Sequence, residues 1–149
     1  MNRRAAIAMA PEEVAAFLAE QRTVTCATLG RDGWPHLMPL WYVVREDEPW
    51  SWTYAKSQKV RNLERDPRCT LQVEAGSAYD QLRGVMLKCE CAIDRELEVV
   101  TGVGTEIAER YGGTDLNEEA RAYVARQAAK RVAMRFQVRE TASWDHRKL

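Results

Sequence analysis

The sequence has few of the side chains that carry out covalent catalysis or bind transition metals. Its 149 residues include two histidines, His36 and His146, and no Ser or Cys lies in the setting of a nucleophile elbow. There is no Gly-x-Gly-x-x-Gly run after a strand and no Walker-type loop, so the common nucleotide-binding folds are disfavoured. Cys89 and Cys91 are two residues apart, but no second Cys or His pair has zinc spacing. We therefore expect no metal site and read these cysteines as buried structural thiols.

Net charge and long apolar runs are also lacking. The 22 basic and 22 acidic residues cancel, which gives no electrostatic footprint for nucleic acid or an anionic membrane. No apolar run approaches the ~20 residues of a membrane span, and residues 1–8 lack the apolar segment of a signal peptide. The four cysteines have no disulfide-framework spacing. These absences predict a cytoplasmic protein that binds neither nucleic acid nor membrane.

The apolar pattern that is present predicts a mostly β chain with helices between the strands. Alternating or β-branched runs indicate six strands, and helical spacing and capping residues indicate four helices. The strands are expected at residues 23–29, 35–44, 50–54, 69–74, 85–93 and 132–138. The helices are expected at residues 11–21, from about 57 to before Pro67, 95–111 and 117–129.

The connections are too short and irregular for repeated βαβ units, so the sheet should be antiparallel. Closure into a small barrel would protect its edges. A length of 149 residues, without repeats or linkers, fits one domain over residues 1–149. Pro39 interrupts a predicted strand, which indicates an edge, a bulge or a position facing a ligand.

The most informative segment is residues 56–63, which follows a predicted strand and opens a predicted helix. It contains Lys56, Lys59 and Arg61 and no acid, and Ser57 is the expected N-cap. A helix N-terminus offers free backbone N–H groups and a partial positive charge, so cations placed there favour a phosphate. The alternative interpretation is a solvated charged helix face. On the first interpretation, Lys59 lies at the helix surface and donates a charge-assisted hydrogen bond to the phosphate.

Taken in order, several segments resemble one known family. They are residues 32–36, 39–43, Thr53, 56–63, 66–67, 83–85 and the terminal stretch 143–149. This set is similar to the pyridoxamine 5′-phosphate oxidase-like split-barrel superfamily, and most of all to its flavin/deazaflavin oxidoreductase B group. The resemblance runs from about Pro11 to Leu149. It implies a mainly β (α+β) fold, a six-stranded antiparallel split β-barrel with Greek-key topology and flanking helices. It also implies a homodimer with cofactor sites at the subunit interface.

The resemblance implies a cofactor site as well. Residues matching the phosphate site of the family are Lys56, Ser57, Lys59, Arg61 and Asn62, and Thr53 falls where the barrel wall meets that helix. The strand carrying Met38, Pro39, Leu40 and Trp41 matches the segment along the edge of the cofactor ring. The Arg-rich substrate site of true pyridoxamine phosphate oxidases is not evident, which argues against vitamin B6 oxidation.

The resemblance implies either the deazaflavin coenzyme F420 or FMN as cofactor, and an Ala- and Arg-rich composition favours F420. The expected activity is hydride transfer from reduced F420 to an unsaturated or conjugated small molecule, with orientation and electrostatics supplied by the protein. The alternatives are an FMN-dependent oxidase or reductase, and a binding protein for the cofactor or a haem-related ligand without turnover. His36 and Tyr79 are the candidate proton donors; the structural alternative is that they are satisfied polar groups.

Overall fold

The computed structural model describes residues 2–113 and 115–149. In these residues, five α-helices accompany seven strands. The helices are α1 (Arg3–Ile7), α2 (Pro11–Glu20), α3 (Gln58–Arg65), α4 (Leu97–Gly112) and α5 (Glu118–Ala128). The strands are β1 (Val24–Leu29), β2 (Pro35–Leu40), β3 (Val43–Arg45), β4 (Glu48–Tyr54), β5 (Arg68–Ala75), β6 (Arg83–Asp94) and β7 (Arg131–Asp145). Short 3₁₀ helices cover Tyr79–Gln81 and His146–Lys148.

Three helix ends in the structure coincide with capping residues in the sequence. Pro11 opens α2, and the Glu13 carboxylate accepts a 2.6 Å hydrogen bond from the Ala10 N–H. Gly113 ends α4 in the left-handed conformation, with φ of 76°, which glycine adopts without strain. Asn117 caps α5 by accepting from the N–H of Ala120 at 2.8 Å. The capping signals in the sequence therefore fix three of these ends.

All strands belong to one antiparallel sheet in the order β2-β1-β5-β6-β7-β4-β3. Its two edge strands, β2 and β3, are separated in the chain by only Trp41 and Tyr42. The chain itself therefore brings the two edges of the sheet together, as a split barrel requires. Counted as one bent strand, β2 and β3 give the six strands expected from the sequence.

The expectation of one continuous strand over residues 35–44 is wrong, because Tyr42 leaves the ladder. Its backbone N–H donates to the Tyr111 hydroxyl at 3.0 Å, and its carbonyl accepts from the Arg110 guanidinium. The buried Tyr42 hydroxyl donates to the Leu18 carbonyl at 2.6 Å. Side chains of α4 and the end of α2 thus satisfy the polar groups at the bend.

Two apolar clusters hold the fold together. The larger fills the barrel and contains all four cysteines, in addition to residues such as Leu71, Val85 and Phe136. The smaller lies between α4 and the outer side of β3, β4 and β7 and is centred on Val100, Val103 and Ile107. The thiols are thus buried, as expected, and α4 packs on the sheet through its own apolar face.

The terminal segment docks on the body of the chain, and β7 is longer than the strand expected at residues 132–138. Ser143 Oγ accepts from the Met9 N–H at 2.9 Å, and the His146 N–H donates to the Leu82 carbonyl at 2.9 Å. Lys148 pairs with Glu13 at 2.7 Å. None of the helices in the described residues is long and apolar enough to span a membrane.

Candidate functional site

No side chain of the described residues caps the N-terminus of α3. Ser57 occupies the N-cap position with extended backbone, φ −70° and ψ 156°, but its hydroxyl makes no capping hydrogen bond. Ser57 Oγ is buried and has no hydrogen-bond partner among the described residues. A buried hydroxyl without a partner is costly, and the first N–H groups of a helix also need acceptors. Both are therefore available to an anionic ligand.

Two cations beside this helix start face solvent. Lys56 and Arg61 are both exposed, and neither forms an ion pair with any residue that the structure describes. They flank the uncapped turn in the sequence, so their charge adds to that of the helix dipole. This part of the predicted phosphate site has the side chains and the charge that a phosphate needs.

Lys59 is placed differently from the expectation of a solvated surface side chain, which is wrong. Its side chain is buried, with the residue 8% exposed, and Nζ donates to Thr53 Oγ1 at 2.9 Å. The reason is the orientation of α3, which turns Lys59, Val60 and Leu63 toward the barrel. Burial is the main cause that lowers the pKa of Lys59, and the nearby positive charge of Arg131 lowers it further. The neighbouring Cys26 opposes this shift.

Asn62 is also turned inward. It is fully buried and donates through Nδ2 to Thr28 Oγ1 at 3.0 Å, while its Oδ1 accepts from Gln58 Nε2 at 2.9 Å. Since Thr28 belongs to β1 and Thr53 to β4, Asn62 and Lys59 tie α3 to two strands that are not neighbours in the sheet. These two predicted site residues therefore fix the position of the helix start.

The predicted ring-edge segment lies at the edge of the sheet. Met38 and Pro39 are exposed on β2, which among the described strands pairs with β1 alone, so the edge interpretation of Pro39 is the one observed. Trp41 follows the strand and stacks on Tyr111 of α4, with ring centroids 4.4 Å apart and an angle of 9° between the ring planes. The stack fixes a flat aromatic surface beside the bend.

An open cleft of about 570 Å³ lies between the outer face of β4, the end of β2 and the helices α4 and α5. Its lining residues are Thr23, Pro39, Leu40, Trp41, Trp52, Thr53, Tyr54, Gly104, Ile107, Ala108, Tyr123, Val124, Gln127 and Arg131. Four of the predicted site residues, Pro39, Leu40, Trp41 and Thr53, thus meet in one cleft. Met38 and the predicted residues of the 56–62 segment do not line it.

Arg131 is a feature of this cleft that the sequence did not reveal. Its guanidinium carbon lies 4.1 Å from the Tyr54 ring centroid and 4.6 Å from that of Trp52. Its Nε is buried and has no hydrogen-bond partner within residues 2–113 and 115–149. The contact follows from the register of β4 and β7, which places Tyr54 opposite Arg131. That register joins residues far apart in the chain, and no local pattern in the sequence indicates it.

The two candidate proton donors lie outside the cleft. His36 is on β2 opposite Thr28, and its Nδ1 is buried without a hydrogen-bond partner in the part of the chain that the structure describes. Tyr79 is exposed and packs edge-on against His146, near the end of the chain. Neither side chain is brought together with Thr53 or Arg131. In the described part of the chain, no three His, Cys, Asp or Glu side chains are grouped to hold a metal ion.

Comparison with known proteins shows the family. The model of the pyridoxamine 5′-phosphate oxidase family matches residues 10–145. The chain therefore belongs to the pyridoxamine 5′-phosphate oxidase-like family, with the mainly β fold expected of it. No curated protein matches the sequence.

Solved structures agree with this assignment. The conserved hypothetical protein Rv2991 from Mycobacterium tuberculosis is 44% identical, with a TM-score of 0.91 over 99% of this chain and 92% of that one. An F420 reductase is 19% identical, with a TM-score of 0.71 over 89% of this chain and 98% of that one. The haem storage protein HutZ from Vibrio cholerae is 17% identical, with a TM-score of 0.70 over 89% and 94% of the two chains. The last two similarities concern the fold.

Proposed function

We propose that this chain is an oxidoreductase that binds reduced coenzyme F420 and transfers a hydride to an unsaturated or conjugated small molecule. The observation that carries the proposal is the uncapped start of α3. Among the described residues, the buried Ser57 hydroxyl there has no hydrogen-bond partner, and the neighbouring cations Lys56 and Arg61 form no ion pair. The fold is shared with an F420 reductase, which supports the choice of cofactor.

In this proposal the predicted residues have two kinds of role. Ser57, Lys56 and Arg61 hold the phosphate together with the backbone N–H groups of the first helical turn. Lys59 and Asn62 position that turn through their hydrogen bonds to Thr53 and Thr28. Their burial supports a positioning role, because a helix start held to two separate strands keeps its N–H groups in a fixed direction.

The segment Met38–Trp41 would hold the edge of the cofactor ring. When bound, the deazaflavin supplies the hydride, and no side chain needs to act as a nucleophile. Pro39, Leu40 and Trp41, which line the open cleft, would orient the acceptor beside the ring, and this orientation would accelerate hydride transfer. The proton that completes the reduction would come from solvent in the cleft.

The test is equilibrium binding of F420 and FMN, followed by fluorescence. We expect F420 to bind more tightly than FMN. Lys56→Ala and Arg61→Ala should each weaken F420 binding about tenfold, because a charge-assisted hydrogen bond contributes about 1.5 kcal/mol or more. Arg121→Ala is the matched control, since Arg121 is an exposed cation on α5, and its affinity should remain that of the wild type.

Riboflavin lacks the phosphate of FMN. Comparing the two ligands therefore distinguishes loss of a phosphate contact from disruption of the whole cofactor site. The α3 variants should weaken FMN binding and leave riboflavin binding unchanged. Protein purified with stoichiometric FMN would contradict the choice of F420 and favour the FMN-dependent alternative. Wild-type affinity in both α3 variants would contradict the location of the phosphate. Tight F420 binding without reduction of any conjugated acceptor would favour a carrier.

A further inference from the structure

The cleft beside β4 contains one charged side chain that has no acidic partner. Of the described residues that line it, Arg131 alone is charged, and none is Asp or Glu. Arg131 forms no ion pair with any residue that the structure describes, and its polar contact is a 3.5 Å hydrogen bond from Nη2 to Gln127 Oε1. Its buried Nε has no hydrogen-bond partner among these described residues. The guanidinium therefore retains donors for an anionic group.

The walls of the cleft are aromatic and flat. Tyr54 and Trp52 lie against the Arg131 guanidinium at 4.1 and 4.6 Å, while Trp41 and Tyr123 contribute further exposed ring surface. Rings that contact the guanidinium hold its plane and restrict its rotamers, so fewer degrees of freedom are lost when a ligand binds. Aromatic walls favour a planar ligand that offers its faces for stacking.

We infer that this cleft binds a planar conjugated molecule bearing a carboxylate, with Arg131 as the residue that recognises the carboxylate. The inference rests on the proposed function, for which it names the acceptor as a conjugated carboxylate. Its position supports that role, since Pro39, Leu40 and Trp41 belong both to the cleft and to the segment assigned to the cofactor ring. Guanidinium and carboxylate match in geometry as paired donors and acceptors.

Direct binding to cofactor-free protein tests the inference, with naphthalene-2-carboxylate and naphthalene-2-carboxamide as probes in isothermal titration calorimetry. The two probes share the planar ring and differ in charge. We expect the wild type to prefer the carboxylate about tenfold or more, because the bond to Arg131 is charge-assisted. Arg131→Met should remove the preference and retain the affinity for the amide.

Arg126→Met is the matched control. Arg126 is exposed on α5, and its guanidinium carbon lies 5.9 Å from the Tyr123 ring centroid, but it does not line the cleft. This variant should keep the wild-type preference. Arg131→Gln, which retains polarity, provides a second test if Arg131→Met does not fold, and it should also lose the preference. Equal affinity of the wild type for both probes overturns the inference, as does an unchanged preference in the folded Arg131 variants.

Cofactor binding, measured on the wild type and on the Arg131 and Arg61 variants, tests this inference separately from the proposed function. Arg131→Met should bind F420 and FMN as the wild type does, whereas Arg61→Ala should lose cofactor affinity and keep the carboxylate preference. If Arg131→Met weakens FMN but not riboflavin and leaves the carboxylate preference intact, Arg131 contacts the cofactor phosphate and the inference is wrong. If the wild type binds neither F420 nor FMN, the proposed function fails, while the probe preference still measures recognition in the cleft.

Discussion

At the scale of single residues, Lys59 is a buried cation paired with a hydroxyl instead of a carboxylate. The hydrogen bond to Thr53 satisfies one of its three donors, and the positive charge of Arg131 adds repulsion. A charge in this setting costs free energy unless an anion neutralises it. The residue therefore makes the start of α3 less stable without a bound anion than with one.

The pH dependence of stability follows from the lowered pKa of Lys59. In the unfolded chain the amine titrates near 10.5, whereas burial lowers its pKa in the folded chain. Between the two values the unfolded state binds more protons, so stability rises with pH as the folded-state amine loses its charge. Relative to Lys59→Met, the wild type should therefore gain stability as the pH rises toward the unfolded-state pKa near 10.5.

Urea denaturation at each pH measures this difference. Lys56→Met serves as the control for removing a cation from the same segment, because Lys56 is exposed. Lys59→Met also loses the hydrogen bond to Thr53. This loss contributes a constant amount to the difference in unfolding free energy while the amine stays protonated. A difference between wild type and Lys59→Met that stays constant up to pH 10 would show that Lys59 titrates normally in the folded protein.

At the scale of secondary structure elements, two glycines of α4 should respond to the same substitution with opposite signs. A Cβ at Gly104 would lie 2.3 Å from Trp52 Cζ3, so alanine there must displace the ring or the helix. At Gly102 the nearest atom is the Arg45 guanidinium nitrogen at 3.6 Å, an ordinary contact. Gly102→Ala should stabilise the fold by about 0.5–1 kcal/mol through helix propensity.

Gly104→Ala should instead destabilise by about 1–3 kcal/mol, the usual cost of overpacking. It should also alter the fluorescence of Trp52, because the ring lies between α4 and Arg131. Chemical denaturation of both variants measures the two changes. A gain in stability from Gly104→Ala would show that α4 moves freely over β4 and that the cleft wall is not rigid.

Most elements could be predicted because their side chains alternate or follow a helical period. The strand β6 is an example, with Val85, Leu87, Cys89 and Cys91 buried on one side. The second half of β7 was missed because residues 139–142 are all exposed, so no alternation marks them. The break after β2 was missed because it depends on Arg110 and Tyr111, which are nearly 70 residues away in the chain.

The same division applies to the site. The N-terminus of α3 could be predicted from local signals, namely a polar N-cap residue and cations in the following turn. The sequence could not show which of those cations faces solvent, because the burial of Lys59 depends on how α3 lies against β1 and β4. Arg131 could not be found locally either, because strand pairing brings it to Tyr54.

At the scale of the whole molecule, we predict a homodimer formed through the edge strand β2. Trp34 is 76% exposed, Leu37 57% and Met38 43%, and β2 pairs with no described strand on its outer side. Exposed apolar side chains beside a free strand edge are characteristic of an interaction surface. Sedimentation at micromolar concentration should give twice the chain mass of 17.0 kDa.

Leu37→Lys should shift the protein toward monomer, because it places a charge in the interface. Leu97→Lys is the control, since Leu97 is 60% exposed at the start of α4 and lies outside the proposed interface. A wild type that sediments as a monomer would contradict the dimer, and a dimeric Leu37→Lys variant would place the interface elsewhere.

The position of β4 between β3 and β7 has a consequence for synthesis on the ribosome. Strand β4 pairs with residues 131–135 of β7, from Tyr54 opposite Arg131 to Trp50 opposite Arg135. When β4 emerges from the ribosome, this segment of β7 has not been translated. The backbone of β4 and the Trp52 ring therefore lack these partners until about 80 further residues have been made. The barrel can therefore close only after most of the chain has been made, and we expect nascent chains truncated before β7 to depend on chaperones.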